Sequence, residues 1–470
     1  MGTTRKPSPF LRRNRGYLNI SDRANKKIVA ALIVVALTAA LSCGPRAPKE
    51  APTRRQGRVE ADMINVFFTG SSLGRLKPCG CSGGQLGGFE RRPAVFSTVP
   101  AEKRLLIDTG SLVETNRDQD LIKFNIIVEA LGLLDYDLVN LTEKDLKIAE
   151  NLGLLGSPIV DFVSPYGAGD EIAEGFLSRH LLSGEYVNIL VLTLDVDRSP
   201  IERIQDGFAD PPQGEKSFNI LIVNRCDEAI IASVARTGAV DCLVCPSDAE
   251  EPIVSRSPNR KPLVFSVGRF GRYICRLQIE KARVGDRLKV KFHQIEVGED
   301  LEKDASLVEL YKGYQQIVRD GNLLEKHPRY VLPNGLKYVG SQSCSSSDCH
   351  AYEHIEWMDN IHASAYATLE EVGSQHDPEC VVCHVVGMDY ESGYISEQQT
   401  PLLKDVGCEN CHGPGSEHNE RPHEVKTSEP KMTCIQCHTP EHSGDYAGNE
   451  DTFMERIKHW TEPNAPGNVK

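Results

Sequence analysis

The sequence predicts an α/β domain followed by a mainly α, loop-rich domain, with an export segment ahead of both. Three observations predict this. Short apolar runs alternate with helical stretches from Met63 to Ile295, eight of the fifteen cysteines fall between Cys344 and Cys437, and the apolar run Ile28 to Leu41 follows a basic N-terminus. The chain has 470 residues, 40% hydrophobic and 25% charged, which suits two or three globular domains and lies outside the range of disordered chains. Its formal charge of −13, from 53 basic and 66 acidic residues, argues against a broadly basic phosphate-backbone binder, so no nucleic acid partner is expected.

Residues 1–43 read as an export signal. Arg5, Lys6, Arg12, Arg13, Arg15, Arg23, Lys26 and Lys27 form a charged leader, and Ile28 to Leu41 is an apolar stretch shorter than the roughly 20 residues of a spanning helix. The ending AALSCG resembles a bacterial lipoprotein signal with Cys43 acylated, although Ala40 stands where that family prefers Leu. The alternative is an uncleaved N-terminal anchor helix. Both place the rest of the chain in the periplasm, attached to the membrane. Residues 44–61, rich in Pro, Gly and charge without an apolar period, read as a tether.

Residues 62–300 form the α/β domain. Met63–Phe68, Arg104–Asp108, Tyr136–Leu141, Asn188–Leu194, Phe218–Val223, Val240–Val244 and Pro262–Val267 are apolar runs of strand length, followed by late strands at Tyr273–Ile279 and Leu288–Ile295. Gln119–Leu133 and Asp227–Thr237 read as helices. In order and spacing, the loops FFTGSSLGRLKPCGCSGGQLGGFERR, LLIDTGSLVE, YDLVNLTEKDL, VDCLVCPSDAEE and PLVFSVGRFGRYICRL resemble the calcineurin-like metallophosphoesterases of the 5′-nucleotidase group. The resemblance implies a sandwich of sheets with helices outside. It also implies two metals held by Asp-x-His, Gly-Asp, Asn-His-Glu and later histidines. This chain departs at nearly every ligand: Ser71 to Gly74, Gly110-Ser111, Thr142-Glu143-Lys144 and VCPSD stand in those places, and His180 is the one histidine between Met63 and Val284. The reading is a fold retained without its reaction; residual phosphoesterase activity through Asp108 or Asp241 is a lesser alternative.

Cys79 and Cys81 (C-x-C), Cys226, and Cys242 and Cys245 (C-x-x-C) lie on or beside the same loops. They suit disulfides, natural in an oxidising compartment, or one soft metal ion or iron–sulfur centre held by Cys79, Cys81, Cys242 and Cys245, or free thiols. The glycines of GCSGGQLGG suit a tight turn or an anion cradle.

Residues 301–337 carry a linker helix. Val308, Tyr311, Tyr314 and Val318 recur near a 3.6 period, which predicts an amphipathic helix packed between the two domains, and Pro328 and Pro333 mark its end.

Residues 338–470 carry CSSSDCH (Cys344, Cys349, His350), CVVCH (Cys380, Cys383, His384), CENCH (Cys408, Cys411, His412) and CIQCH (Cys434, Cys437, His438). The last three are the attachment pattern of c-type haem. Two thiols about a helical turn apart can form thioethers to one porphyrin, and the histidine that follows becomes an axial ligand of the iron. The first motif has four residues between its cysteines, and its Cys-His pair and position at the head of the array still fit haem better than a disulfide or zinc module. Four covalent haem c groups are expected, with His350, His384, His412 and His438 as proximal ligands. Little aliphatic sequence surrounds them, so the porphyrins themselves supply buried apolar area.

Tyr338 to Trp460, about a quarter of the chain, resembles the cytochrome c-554 family: Trp357, His362 and Ala363 in EWMDNIHASA, CENCHGPGSEH, and CHTPEHS followed by IKHW. The resemblance implies a multihaem cytochrome c fold and distal ligands at His362, His418 and His459. Four irons then face three assigned distal histidines. Either one haem is five-coordinate, or His354, His376, His423 or His442 completes it. The expected function is electron transfer with redox partner proteins, the N-terminal domain serving for docking. The enzymatic alternative is a haem oxidoreductase acting on a small nitrogen or sulfur compound.

Overall fold

The computed structural model describes residues 63–78, 84–156, 159–164, 176–181, 185–194, 200–208, 216–256, 261–284, 287–428, 434–439 and 442–460. The export segment, the tether, Cys79 and Cys81 lie outside these residues.

Twelve strands among the described residues form two six-stranded sheets. The first contains β1 (Met63–Thr69), β2 (Arg104–Asp108), β3 (Leu138–Asn140), β4 (Phe162–Val163), β11 (Tyr273–Val284) and β12 (Arg287–Glu296), in the order β12-β11-β1-β2-β3-β4. The second contains β5 (Phe176–Leu181), β6 (Glu185–Leu192), β7 (Lys216–Val223), β8 (Cys242–Val244), β9 (Val254–Arg256) and β10 (Leu263–Phe265), in the order β5-β6-β7-β8-β10-β9. The first is antiparallel from β12 to β1 and parallel from β1 to β4, whereas in the second a parallel centre, β6-β7-β8-β10, is flanked by antiparallel β5 and β9. The α/β class is the one the apolar runs predict.

Strand periodicity divides the core. Successive side chains point to opposite faces, so Ile64, Val66 and Phe68 of β1 meet Val187, Ile189 and Val191 of β6 between the sheets. Phe67 turns outward to the Asp118–Leu133 and Glu143–Leu152 helices, and Leu221, Leu243 and Val264 turn outward from the second sheet to Ile204, Ile231 and Val234 of its covering helices. Nearly continuous apolar runs result, because both faces of each central strand are covered.

The linker helix spans Ala305–Asp320, within the 301–337 linker. Asp304 caps its start by accepting from the Ser306 and Leu307 backbone N–H groups at 2.9 and 3.1 Å. Leu307, Tyr314 and Val318 bury their side chains in the core outside the first sheet. Beyond it, short helices at Ala351–Met358, Ala365–Val372, Pro378–Val381, Cys408–His412 and Cys434–Cys437 carry or flank the Cys-His motifs. Their one apolar cluster is small, built on Tyr366, Leu369, Val381, Val385, Met388 and Tyr394. Ile355, Met358 and Ile361 stay 62%, 61% and 72% exposed beside it.

Candidate haem centres

Folding brings the Cys-His motifs together across long sequence gaps. The His350 and His418 rings stand with centroids 6.2 Å apart, and His362 and His438 stand at the same separation. Two metal–imidazole bonds of about 2 Å, plus the distance from each ring centre to its nitrogen, fill such a gap. Both pairs therefore fit a haem iron gripped from two sides. His412 lies close enough to His459 and His350 for both to disfavour its protonation, placing His459 as its neighbour.

Ring orientation is fixed from behind. His418 Nδ1 lies 2.6 Å from the Val425 carbonyl, His459 Nδ1 2.8 Å from that of Ile457, His384 Nδ1 2.6 Å from that of Ala365, and His438 Nδ1 3.0 Å from Ser443 Oγ. An Nδ1–H donated to a carbonyl leaves Nε2 as the free lone pair, the tautomer an iron ligand needs. Burial pushes the His362, His384, His412 and His438 imidazoles toward lower pKa, and neighbouring histidines add to this at His362. The neutral, ligating form is thereby favoured.

The thiols also meet in pairs. Cys344 is hydrogen-bonded with Cys408, which is pushed down to about 6 while the Cys344 thiol is pushed up, and Cys437 is lowered by a bond from Cys383. The first motif thus adjoins the third, and the second adjoins the fourth. In the loose first motif the His350 N–H donates to the Cys344 carbonyl at 3.1 Å, which closes the longer loop on itself.

His384 lies close enough to His362 to disfavour its protonation, yet the His362 ring faces His438. Among the described residues no histidine ring is paired with it as His418 is with His350. His354 packs on Trp357 at 5.5 Å, His442 Nδ1 pairs with Thr439 Oγ1 at 2.8 Å, His376 lies near Arg319, and His423 is exposed.

The strand-end loops of the α/β domain keep an unusual backbone and spend their polar groups internally. Ser71, Leu73, Ser111 and Phe270 adopt φ of 48°, 50°, 59° and 64°. They are laced by Ser71 N–H to the Gly110 carbonyl and Phe270 N–H to the Ser71 carbonyl, each at 2.7 Å. Gly110, at φ 90°, admits no side chain, since a Cβ would lie 2.6 Å from the Asn140 carbonyl oxygen. The wholly buried Asp108 accepts from Thr69 Oγ1 at 2.7 Å and from the Gly110 N–H at 2.9 Å; Thr69 Oγ1 and Tyr136 Oη are 2.8 Å apart, and Arg92 donates to Tyr136 at 3.1 Å. The Asp145 carboxylate likewise accepts from Ser111, Leu112 and Thr142. The Thr69 hydroxyl and the Gly110 N–H occupy Asp108, with the Arg92 charge nearby, and among the described residues no group of three or more His, Cys, Asp or Glu side chains could hold a metal ion.

The C-x-x-C cysteines are divided by strand alternation. Cys245 is joined to Cys226 in a disulfide, whereas Cys242, on the opposite face of β8, is buried between the sheets near Cys275. They do not converge on one site.

Comparison with known proteins bears on both parts. Residues 343–413 match the cytochrome c554 and c-prime family. Cytochrome c-554 of Nitrosomonas europaea is 36% identical over 93 residues, a match covering 17% of this chain and 39% of that protein's length. The 5′-nucleotidase precursor from Thermus thermophilus aligns structurally at TM-score 0.45 and 15% identity, covering 66% of this chain and 68% of its own. The calcineurin-like phosphoesterase YfkN from Bacillus subtilis aligns at 0.40 and 12%, covering 54% of this chain and 97% of its own.

Within the cytochrome c554-like segment, sequence reasoning missed the supporting groups. Glu409, inside CENCH, is buried and accepts from the Val339, Gly340 and Gly415 N–H groups. Nothing in a spacing pattern distinguishes that glutamate from the variable residues between two haem cysteines. Asp377 was legible in principle: Asp followed by Pro378 is a helix-start signal, and it caps the Pro378–Val381 helix through the Glu379 N–H at 3.0 Å.

Proposed function

We propose that this chain is an exported, membrane-tethered tetrahaem c-type cytochrome that passes electrons between redox partner proteins. The observation that carries the reading is the pairing of His350 with His418 and His362 with His438 at 6.2 Å. A bound haem exchanges single electrons at its iron. Cys344 and Cys349, Cys380 and Cys383, Cys408 and Cys411, and Cys434 and Cys437 would each attach one haem, the histidines would ligate its iron, and the groups behind them would fix the imidazole tautomer. Neighbouring motifs, first with third and second with fourth, suit porphyrins packed closely enough for electrons to pass along the array.

The domain order is a signal over 1–43, a tether over 44–61, a phosphoesterase-like body over 62–300, a linker over 301–337 and the cytochrome domain over 338–470. The body is non-hydrolytic on this reading, because the polar groups at its strand ends are committed to one another. Purified holo-protein should carry four haems by pyridine haemochrome and mass spectrometry, with at least three low-spin irons by paramagnetic resonance. A chain without added porphyrin mass overturns the proposal.

A second reading has one specific support: no described histidine is paired with His384. Its haem would have an open face able to take a small ligand such as nitric oxide. One high-spin signal per chain that shifts on adding carbon monoxide or nitric oxide supports this; four low-spin irons exclude it.

A further inference from the structure

The phosphoesterase-like body meets the cytochrome domain at one place rich in charge, immediately before the second haem motif. Tyr314 of the linker helix donates through Oη to Asp377 Oδ2 at 2.9 Å, and Gln119 Nε2 donates to Asp377 Oδ1 at 2.7 Å and to Tyr314 Oη at 2.8 Å. Beside them Lys123 Nζ lies 2.5 Å from Glu379 Oε2, with Arg75 on the outer side of the same carboxylate at 3.9 Å. Gln119 and Lys123 belong to the Asp118–Leu133 helix, so both grip from the body. Their targets flank Pro378 and begin the helix that carries Cys380.

Burial on its inner side sets this cluster apart from a wholly exposed ion pair. The Lys123 side chain is 6% exposed while that of Glu379 is 44% exposed, so solvent screens the pair from the glutamate side only. Asp377 is wholly buried with Lys123 and Glu379 close enough to influence its carboxyl. Lys123 and Asp377 therefore form the poorly screened inner side of the cluster, and Glu379 and Arg75 its solvent side, at the foot of one haem segment. Ferric haem carries one more positive charge than ferrous haem, so an uncompensated nearby carboxylate favours the ferric state, and a cation beside it opposes this.

Resting on the tetrahaem reading, we propose that the phosphoesterase-like body sets the reduction potential of one haem, that held at Cys380 and Cys383, through the Lys123–Glu379 pair. The retained fold is then part of the redox centre: it delivers a buried ammonium group to a haem segment that supplies none of its own at that place. Tyr314 and Gln119 are positioning residues that hold Asp377 and hence the helix start.

The experiment is a spectroelectrochemical titration of the full-length holo-protein, resolved into its haem components. Lys123→Met should move one component to lower potential and leave the others in place. Lys123→Arg, keeping the charge, should restore it, as should the double variant Lys123→Met with Glu379→Gln. Arg75→Met, at the exposed edge, should move the same component by less, and it serves where Lys123→Met fails to mature. A merely structural clasp would alter haem yield or melting temperature without this sign-specific, charge-reversible shift. Unmoved components, or all components moving together, overturn the inference. A haem count other than four in the unmodified protein would instead overturn the tetrahaem reading, so the two failures are distinguishable.

Discussion

The imidazole of His362 faces that of His438 at 6.2 Å, although His362 precedes the second haem motif and His438 closes the fourth. The chain crosses much of the haem segment to make that pair, so one iron held by both, as proposed, would tie distant parts of the segment together. His362→Ala should convert one haem from low-spin to high-spin and leave the other three as they were. Paramagnetic resonance combined with carbon monoxide titration measures this, with binding capacity expected to rise by one haem per chain. An unchanged low-spin count would remove His362 as a ligand.

Thr69 Oγ1 joins the buried Asp108 carboxylate to Tyr136, so Thr69→Val removes a hydroxyl while keeping shape and strand preference. Leaving a buried carboxylate oxygen without its donor should destabilise the body by about 2–3 kcal/mol, read from urea unfolding at neutral pH. A change under about 0.5 kcal/mol, as at an ordinary surface position, would show that the bond is dispensable.

Burial, the largest influence, raises the Asp108 carboxyl above its ordinary 3.8, against the opposing pull of Arg92, Thr69 and Gly110. A carboxyl that holds its proton more tightly folded than unfolded contributes most stability below its unfolded pKa, and that contribution is lost as pH rises from there through the folded value. Asp108→Asn has no such titration. Its unfolding free energy should therefore gain on that of the unmodified protein as pH rises from about 4 toward neutral. A difference that moves the other way would mean that Arg92 and the hydrogen bonds outweigh desolvation.

The disulfide joins Cys226 to Cys245 over a separation of 19 residues, while Cys242 and Cys275 are buried thiols. Burial pushes the Cys275 thiol up to about 12, and raises Cys242 well above its ordinary value. Closing a loop of that size contributes about 3 kcal/mol, so the Cys226→Ser, Cys245→Ser double variant should unfold at correspondingly lower denaturant. In the intact protein, iodoacetamide followed by peptide mass spectrometry should leave Cys242 and Cys275 unlabelled until urea is added. Labelling of Cys242 under native conditions would contradict its place between the sheets.

Much of this architecture was legible because it obeys local periodicity. Arg104–Asp108 appears as a strand over the span its apolar run suggests, and the Gln119–Leu133 helix differs only by starting at Asp118. What escaped was non-local or too short for a period. The two-residue strand Phe162–Val163 is specified by pairing with Val139 and Asn140 rather than by its own pattern. The Glu143–Leu152 helix stood where a ligand loop was expected; its start, Thr142 reciprocally capped with Asp145, is a sequence signal that the family resemblance obscured. The Cys-His motifs were readable from spacing alone, because thioether attachment of a porphyrin calls for that spacing. The partner of each proximal histidine was not, since ring pairing depends on how the haem segment folds back. The division of Cys242 from Cys245 needed only the period of 2 and the knowledge that β8 is covered on both faces.

Glu409 links the third motif to the first. Its Oε1 accepts from the Val339 N–H at 3.0 Å and the Gly415 N–H at 2.7 Å, and its Oε2 from the Gly340 N–H at 2.7 Å. Val339 and Gly340 lead into Cys344, and Gly415 opens the Ser416–Glu420 helix that carries His418. One buried carboxylate thereby positions both the attachment segment and the distal ligand assigned to the first haem. A glutamine in its place would turn an amide NH2 toward backbone donors, losing at least one charge-assisted bond and leaving an N–H unsatisfied, a cost of about 3 kcal/mol. Glu409→Gln should lower the melting temperature of the haem domain, followed by Soret absorbance. On warming, it should also release the His350–His418 haem to high-spin before the others. Glu409→Asp, one methylene shorter, cannot reach both segments and should show the same order of events. If Glu409→Gln instead melts with all low-spin haems failing together and at the unmodified temperature, the carboxylate does not hold the first haem's ligand in place.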